Sequence, residues 1–405
     1  MKHFNFFAAV IAVCFVLFTG CQKEIKSDVM LSQSVLKSGS KTAINPSAKQ
    51  LSEFKAKMEK LKAALPPDFQ KKMLDNIKLF QKMDPQYREM VKRTLKLEST
   101  SCSDNTLLHQ WLNQQVADWD YIIFDYVYNW FDAIDMPFYY SLYFENSSAN
   151  PKFGVKGEYT QSITKTFKDL KRFWNIETNN IIMVPMHGGM LHDRDKLIKT
   201  YMITFADIGM YQEWAEWLAD GVLWLLDYFP QLRNGDHPLF TFNSYSSSAF
   251  NIPGFGLIPA KIVMGDGIME GYTAIGFGDV APQAILAHEF GHQVQFQLNV
   301  FSGEYTPEAT RKDELMADAY SAYYLSHARG ASMQWKRVKQ FLQVFFNIGD
   351  CAETSPGHHG TPTQRMAAAE WAYNLANDAH KQGHILSCKE FTALFEAALP
   401  QILMH

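Results

Sequence analysis

The sequence predicts a mainly helical α+β fold, and three observations carry the prediction. Apolar residues recur at three- and four-residue spacing through most of the chain, the period of a helix with one buried face. Only two short runs, "NNIIMVPM" and "AKIVMG", have the length and continuous apolar character of buried strands. With 405 residues, 47% hydrophobic and 14% aromatic, the chain has material for a substantial core.

The first stretch, "MKHFNFFAAVIAVCFVLFTGC", runs from a charged start through an apolar segment to small residues before a cysteine. That is the layout of an export signal, too short to stay in a bilayer. Its end, "LFTGC", resembles a bacterial lipobox, with Phe18 where Leu is usual. The resemblance implies that residues 1–20 are a lipoprotein signal peptide and that Cys21 is lipidated. An exported lipoprotein held on a membrane, periplasmic or at the cell surface, is therefore expected, with several acyl chains giving a stable anchor. Residues 21–45 are polar and rich in Ser and Lys, the composition of a flexible tether. Cys14 leaves with the signal, so Cys102, Cys351 and Cys388 remain for one bridge in an oxidising compartment; Cys351 with Cys388 is the favoured pairing.

Residues 46–100 carry 13 Lys/Arg against 7 Asp/Glu. Leu51, Phe54, Met58 and Leu61 form one helical stripe, Phe69, Met73, Ile77 and Phe80 a second, and Tyr87, Met90 and Val91 continue it. The expectation is a small basic helical segment packed on the body, its charges in solvent. Residues 101–405, the main domain, carry 20 Lys/Arg against 33 Asp/Glu, a balance that disfavours nucleic acid as a partner. The aromatic run from Trp111 to Phe144 reads as core filling. "NNIIMVPMHGG" is a buried strand entering a turn, and His187 and His192 beyond it read as loop histidines rather than metal ligands. "MYQEWAEWLADGVLWLLDYF" is a central helix whose embedded acids argue against a membrane span. The glycines after "AKIVMG" do not form G-x-G-x-x-G between a strand and a helix, so a nucleotide cradle is not expected.

The chemistry concentrates in "APQAILAHEFGHQVQFQL". Pro282 suits a first helical turn and Asp279 is a candidate cap. His288 and His292, four apart on that helix, point within roughly 40° of each other and can reach one metal ion. An H-E-x-x-H arises by chance in about 2% of sequences of this composition, so a third ligand is required before the motif means anything. "RKDELMADAYSAYYLSHA" supplies it on a second helix: Glu314 as ligand, and Asp318 one turn on to accept the free N–H of a ligating histidine. Two His and one Glu, with a fourth position left to water, is the catalytic form of a zinc site. Glu289, too far round the helix to ligate well, is placed to act as general base.

These residues resemble the gluzincin metallopeptidases. More narrowly, "AILAHEFGHQVQ", "ELMADAYSAYY", "NIGD" and "HGTPTQRMAAAEWAYN", in that order, resemble the bacterial neutral zinc metallopeptidase family over residues 279–376. The resemblance implies a zincin-like core, one Zn2+ ion held by His288, His292 and Glu314, Glu289 as catalytic base, and hydrolysis of a peptide or protein substrate. Cys351 departs from the family's usual second acid after "IGD". A donor for the developing oxyanion is also needed. His359 is preferred because the family-like block begins there, with His358 its neighbour and rival; Arg365, Tyr320 and Tyr323 are further candidates for transition-state or substrate contacts. The competing reading is a non-catalytic surface-binding lipoprotein with a structural zinc, for which Glu289 would have no use.

Overall fold

Helices dominate the chain and strands are few. The computed structural model describes residues 46–80, 106–146, 150–304, 306–349, 357–378 and 383–405. The expected signal segment and tether with Cys21, as well as Cys102, Cys351 and the third stripe around Met90, lie outside the described residues. No helix among the described residues is long and apolar enough to cross a membrane.

Among the described residues there are five short strands: β1 (Ile181–Met186), β2 (Ser244–Ser247), β3 (Phe250–Ile252), β4 (Gly256–Ile258) and β5 (Ala260–Gly265). The main sheet has the order β1-β5-β2, with β1 and β5 parallel, Met186 opposite Gly265, and β2 antiparallel, Ser246 opposite Ile262. Its two parallel strands are the two runs predicted above. Val184, Met186, Ile262, Val263 and Met264 are all buried, because both faces of the pair are covered by helices. A parallel pair needs a long crossover, and the helices Arg194–Thr204 and Gln212–Tyr228 lie within it. β3 and β4 form a separate hairpin.

The helix Ala48–Ala64 begins with a Ser47–Gln50 capping box and buries Phe54, Met58 and Leu61, as its stripe requires. Phe54 meets Tyr126 edge-on at 5.0 Å and Phe229 at 5.2 Å. Its basic charges are not all in open solvent: Lys57 Nζ lies 4.8 Å from the Trp224 ring and Lys62 Nζ 4.3 Å from the Trp130 ring. Cation–π attraction therefore helps bind this helix to the helix Gln212–Tyr228 and to the aromatic stretch. A second helix, Phe69–Phe80, buries Phe69, Met73 and Ile77. The aromatic run does fill core, with Trp111, Tyr126, Phe131 and Tyr139 buried. Among the described residues Cys388 is a free, buried thiol; its expected partner Cys351 lies outside them.

Candidate metal centre

Three helices build the site. The histidine helix, Ala281–Leu298, starts with Pro282 in its first turn and ends where Asn299 turns left-handed at φ 55°. Asp279 does not cap it: the carboxylate pairs with Arg337, whose Nη2 also donates to the Asp279 carbonyl at 2.8 Å. The helix is fastened to the sheet by Ser246 Oγ, donating to the Glu289 carbonyl at 2.6 Å, and by Gln293 Nε2, donating to the Lys261 carbonyl at 3.0 Å. The glutamate helix, Pro307–Ser326, is capped by Thr306 and buried from Asp313 onward; Ser321 Oγ donates to the Ala284 carbonyl at 2.8 Å and ties it to the histidine helix. The arginine helix, Pro362–Ala376, opens with a Thr361–Gln364 capping box.

Where the first two helices meet, His288, His292 and Glu314 converge, all buried, as a group able to hold a metal ion. The two Nε2 atoms are 3.1 Å apart, His288 Nε2 is 3.3 Å from Glu314 Oε2, and His292 Nε2 is 3.2 Å from Glu314 Oε1. Ligand atoms held about 2.05 Å from one tetrahedral ion lie roughly 3.3 Å from each other, so the triangle has the size of a zinc site. Packing alone gives no reason for two imidazole nitrogens and a carboxylate to crowd together in an apolar interior.

Each ligand is backed by a further buried group. Asp318 Oδ1 lies 2.8 Å from His288 Nδ1, and its two oxygens accept from Arg365 Nη2 and Nε, both at 2.7 Å. His292 Nδ1 lies 2.7 Å from Gln295 Oε1. The field at the centre calls for positive charge. Burial opposes the charging of His288, yet its bonds to Asp318 and Glu314 and their negative charge push its pKa up to about 10. Burial likewise disfavours an ionised Glu314, but the neighbouring imidazoles, His359 and His292 foremost, hold its carboxyl well below the usual range. A divalent cation would satisfy the same demand and leave both imidazoles neutral.

Glu289 is buried beside this group and lines a cavity of about 50 Å³ with His288, Arg365, Leu108, Ile268 and Phe345. That volume has room for roughly three water molecules. Of the adjacent histidines, His359 is the one that reaches the ligands, its Nδ1 2.8 Å from Glu314 Oε2; His358 is buried next to it. Arg365 is no surface ion-pair residue, being fully buried with one guanidinium nitrogen 3.6 Å from Glu314.

Tyr320 and Tyr323 are not brought to the site. The Tyr320 hydroxyl bonds Thr392 Oγ1 at 2.6 Å and the Tyr323 hydroxyl accepts from the Leu386 N–H at 3.2 Å, both at the C-terminal helix Cys388–Ile402 and the segment before it. Helical phase accounts for the correction: counted from Glu314, Asp318 lies about 40° round the helix, whereas Tyr320 and Tyr323 lie roughly 240° and 180° round it. His187 bonds Asp266 at 2.6 Å and His192 is exposed, so neither belongs to the centre. Asn243 and Ser244, which also line the cavity, and Gln295 were missed. Gln295 stands three residues after His292 on the same helix, a signal present in the sequence.

No protein family matches this chain, and neither a curated protein nor a solved structure is significantly similar to it.

Proposed function

We propose that the chain is a zinc-dependent metallopeptidase with a zincin-like core, its ion held by His288, His292 and Glu314. The observation that carries the reading is the triangle of ligand atoms, 3.1 to 3.3 Å on a side, next to a buried carboxylate in a water-sized cavity. Zinc, when bound, supplies a Lewis acid and brings the pKa of a coordinated water to about 7. Glu289 takes the proton of the attacking water and delivers it to the leaving amine. Arg365 borders the same cavity, and among the described residues its Nη1 is a buried donor without a hydrogen-bond partner. Leaving such a donor unpaired costs about 1–3 kcal/mol, which suits a group kept for the oxyanion of the substrate. His359, against Glu314, is the second donor. Among the described residues β2 pairs with β5 alone, and a sheet edge without a strand partner is the kind an extended peptide can join.

The four sequence blocks that resemble the neutral zinc metallopeptidase family support the same reading, as do the lipobox-like segment and Cys21, which would place the enzyme on the outer side of a membrane. A surface-binding lipoprotein with structural zinc is less favoured, because Glu289 stands beside the ligands where such a protein needs no carboxylate.

The deciding experiment compares zinc content and casein cleavage in wild type and Glu289→Gln. The variant is expected to keep one zinc and to lose about 10²–10⁴-fold in cleavage. Equal cleavage by both would remove Glu289 as base, and a wild type that holds zinc without cleaving would favour the binding protein.

A further inference from the structure

We infer that Gln295 sets the bite of the metal centre, fixing both the tautomer of His292 and its distance from Glu314; the inference rests on the zinc reading above. Gln295 is fully buried on the histidine helix. Its Nε2 donates to the main-chain carbonyl of Asp313 at 2.6 Å, and its Oε1 lies 2.7 Å from His292 Nδ1. A carbonyl can only accept, so the amide must turn its NH2 toward Asp313 and its oxygen toward the imidazole. Facing an oxygen, Nδ1 carries the ring proton, which leaves the lone pair of Nε2 directed at Glu314 and His288. The protonation pattern of a ligand on one helix is thus dictated by the backbone of the next.

Asp313 immediately precedes Glu314, so one side chain spans from the second ligand to the peptide that carries the third. The histidine arm and the glutamate arm are fixed to each other without any contribution from the metal. Asp313 is itself buried, and its Oδ2 accepts the Ser302 N–H at 3.0 Å, which ties the segment after the histidine helix to the same point. The first ligand is held differently: His288 faces the Asp318 carboxylate, backed by Arg365. Glutamine is the residue the second position requires. A carboxylate there would hold the imidazole but oppose the Asp313 carbonyl, and an apolar chain of the same length would hold neither.

The test is a double-mutant cycle in zinc affinity, read by competition with a chromophoric chelator on the full chain. Gln295→Met is expected to weaken zinc binding about 10–100-fold. In a His292→Ala background the same change should alter affinity by no more than about twofold, because the imidazole it positions is gone. Gln295→Glu, which keeps an acceptor for Nδ1 but opposes the Asp313 carbonyl, should fall between wild type and Gln295→Met; if the methionine variant fails to fold by circular dichroism, Gln295→Glu takes its place in the cycle, where its loss should be larger with His292 present than without it. Unchanged affinity in Gln295→Met, or an equal loss with and without His292, would overturn the inference and leave the zinc centre standing. A wild type that binds no zinc would overturn both.

Discussion

Asp318 Oδ1 is shared between His288 Nδ1 at 2.8 Å and Arg365 Nη2 at 2.7 Å, with no part of the carboxylate or the guanidinium exposed to solvent. One carboxylate thus orients a candidate metal ligand and neutralises a buried cation, so under the proposed function stability and metal binding pass through a single side chain.

The two roles can be separated. Asp318→Ala strands the Arg365 charge in the interior and is expected to cost about 3–5 kcal/mol in urea denaturation. The double variant Asp318→Leu/Arg365→Met removes the charge with its partner and should recover most of that stability. It should not recover zinc, because His288 still lacks its acceptor and affinity stays about 10–100-fold down. A double variant no more stable than Asp318→Ala would show that the pair acts through packing rather than charge.

Gly291, inside the H-E-x-x-H segment, packs directly against the glutamate helix. A Cβ there would lie 3.1 Å from Ala317 Cα and 3.1 Å from Tyr320 Cβ, both on the glutamate helix. Gly291→Val adds a branched side chain where even a Cβ is tight, and it is expected to push the two helices apart. A loss of about 1–3 kcal/mol by overpacking is expected, together with weaker zinc retention on dialysis. Full zinc retention with lowered stability would mean that the displacement does not reach Glu314.

The parts of the centre that follow from helical period were legible in the sequence. His288 with His292 and Glu314 with Asp318 are each four apart, and a spacing of four puts two side chains on one face whatever the tertiary structure. The two buried strands were legible because a strand covered on both faces must be apolar throughout. Tyr320 and Tyr323 were misjudged although the same period places them on the far side of their helix. Gln295 was hidden for a different reason: a polar side chain is normally exposed, and only the meeting of separate helices gives it buried partners, whereas Arg365 was a candidate from the sequence and only its complete burial was not foreseen. Asp279 as a cap failed because a better charge partner, Arg337, arrives from 58 residues away. Lys57 and Lys62 likewise found ring faces that local periodicity does not reveal.

Acid should destabilise the fold through His237. This imidazole is buried against Trp119, its ring centroid 4.7 Å away, and both nitrogens are engaged: Nε2 donates to the Gln115 carbonyl at 2.9 Å and Nδ1 accepts from the Leu239 N–H at 3.2 Å. A second proton would set two donors against each other at Nδ1. Burial first, then the nearby Arg233 charge, push the pKa down to about 3, against 6.5 for a free side chain, and the bond to Gln115 offsets only part of this. Between those values the unfolded chain binds a proton that the folded chain refuses. The contribution of His237 is therefore complete above pH 6.5 and is lost as pH falls toward 3, at up to about 1.4 kcal/mol per pH unit. His237→Gln cannot titrate there. It should be about 1–3 kcal/mol less stable than wild type at pH 7.5, with a gap that narrows steadily down to pH 4.5 in urea denaturation. A gap that stays constant across that range would mean that His237 takes up its proton without leaving the folded state.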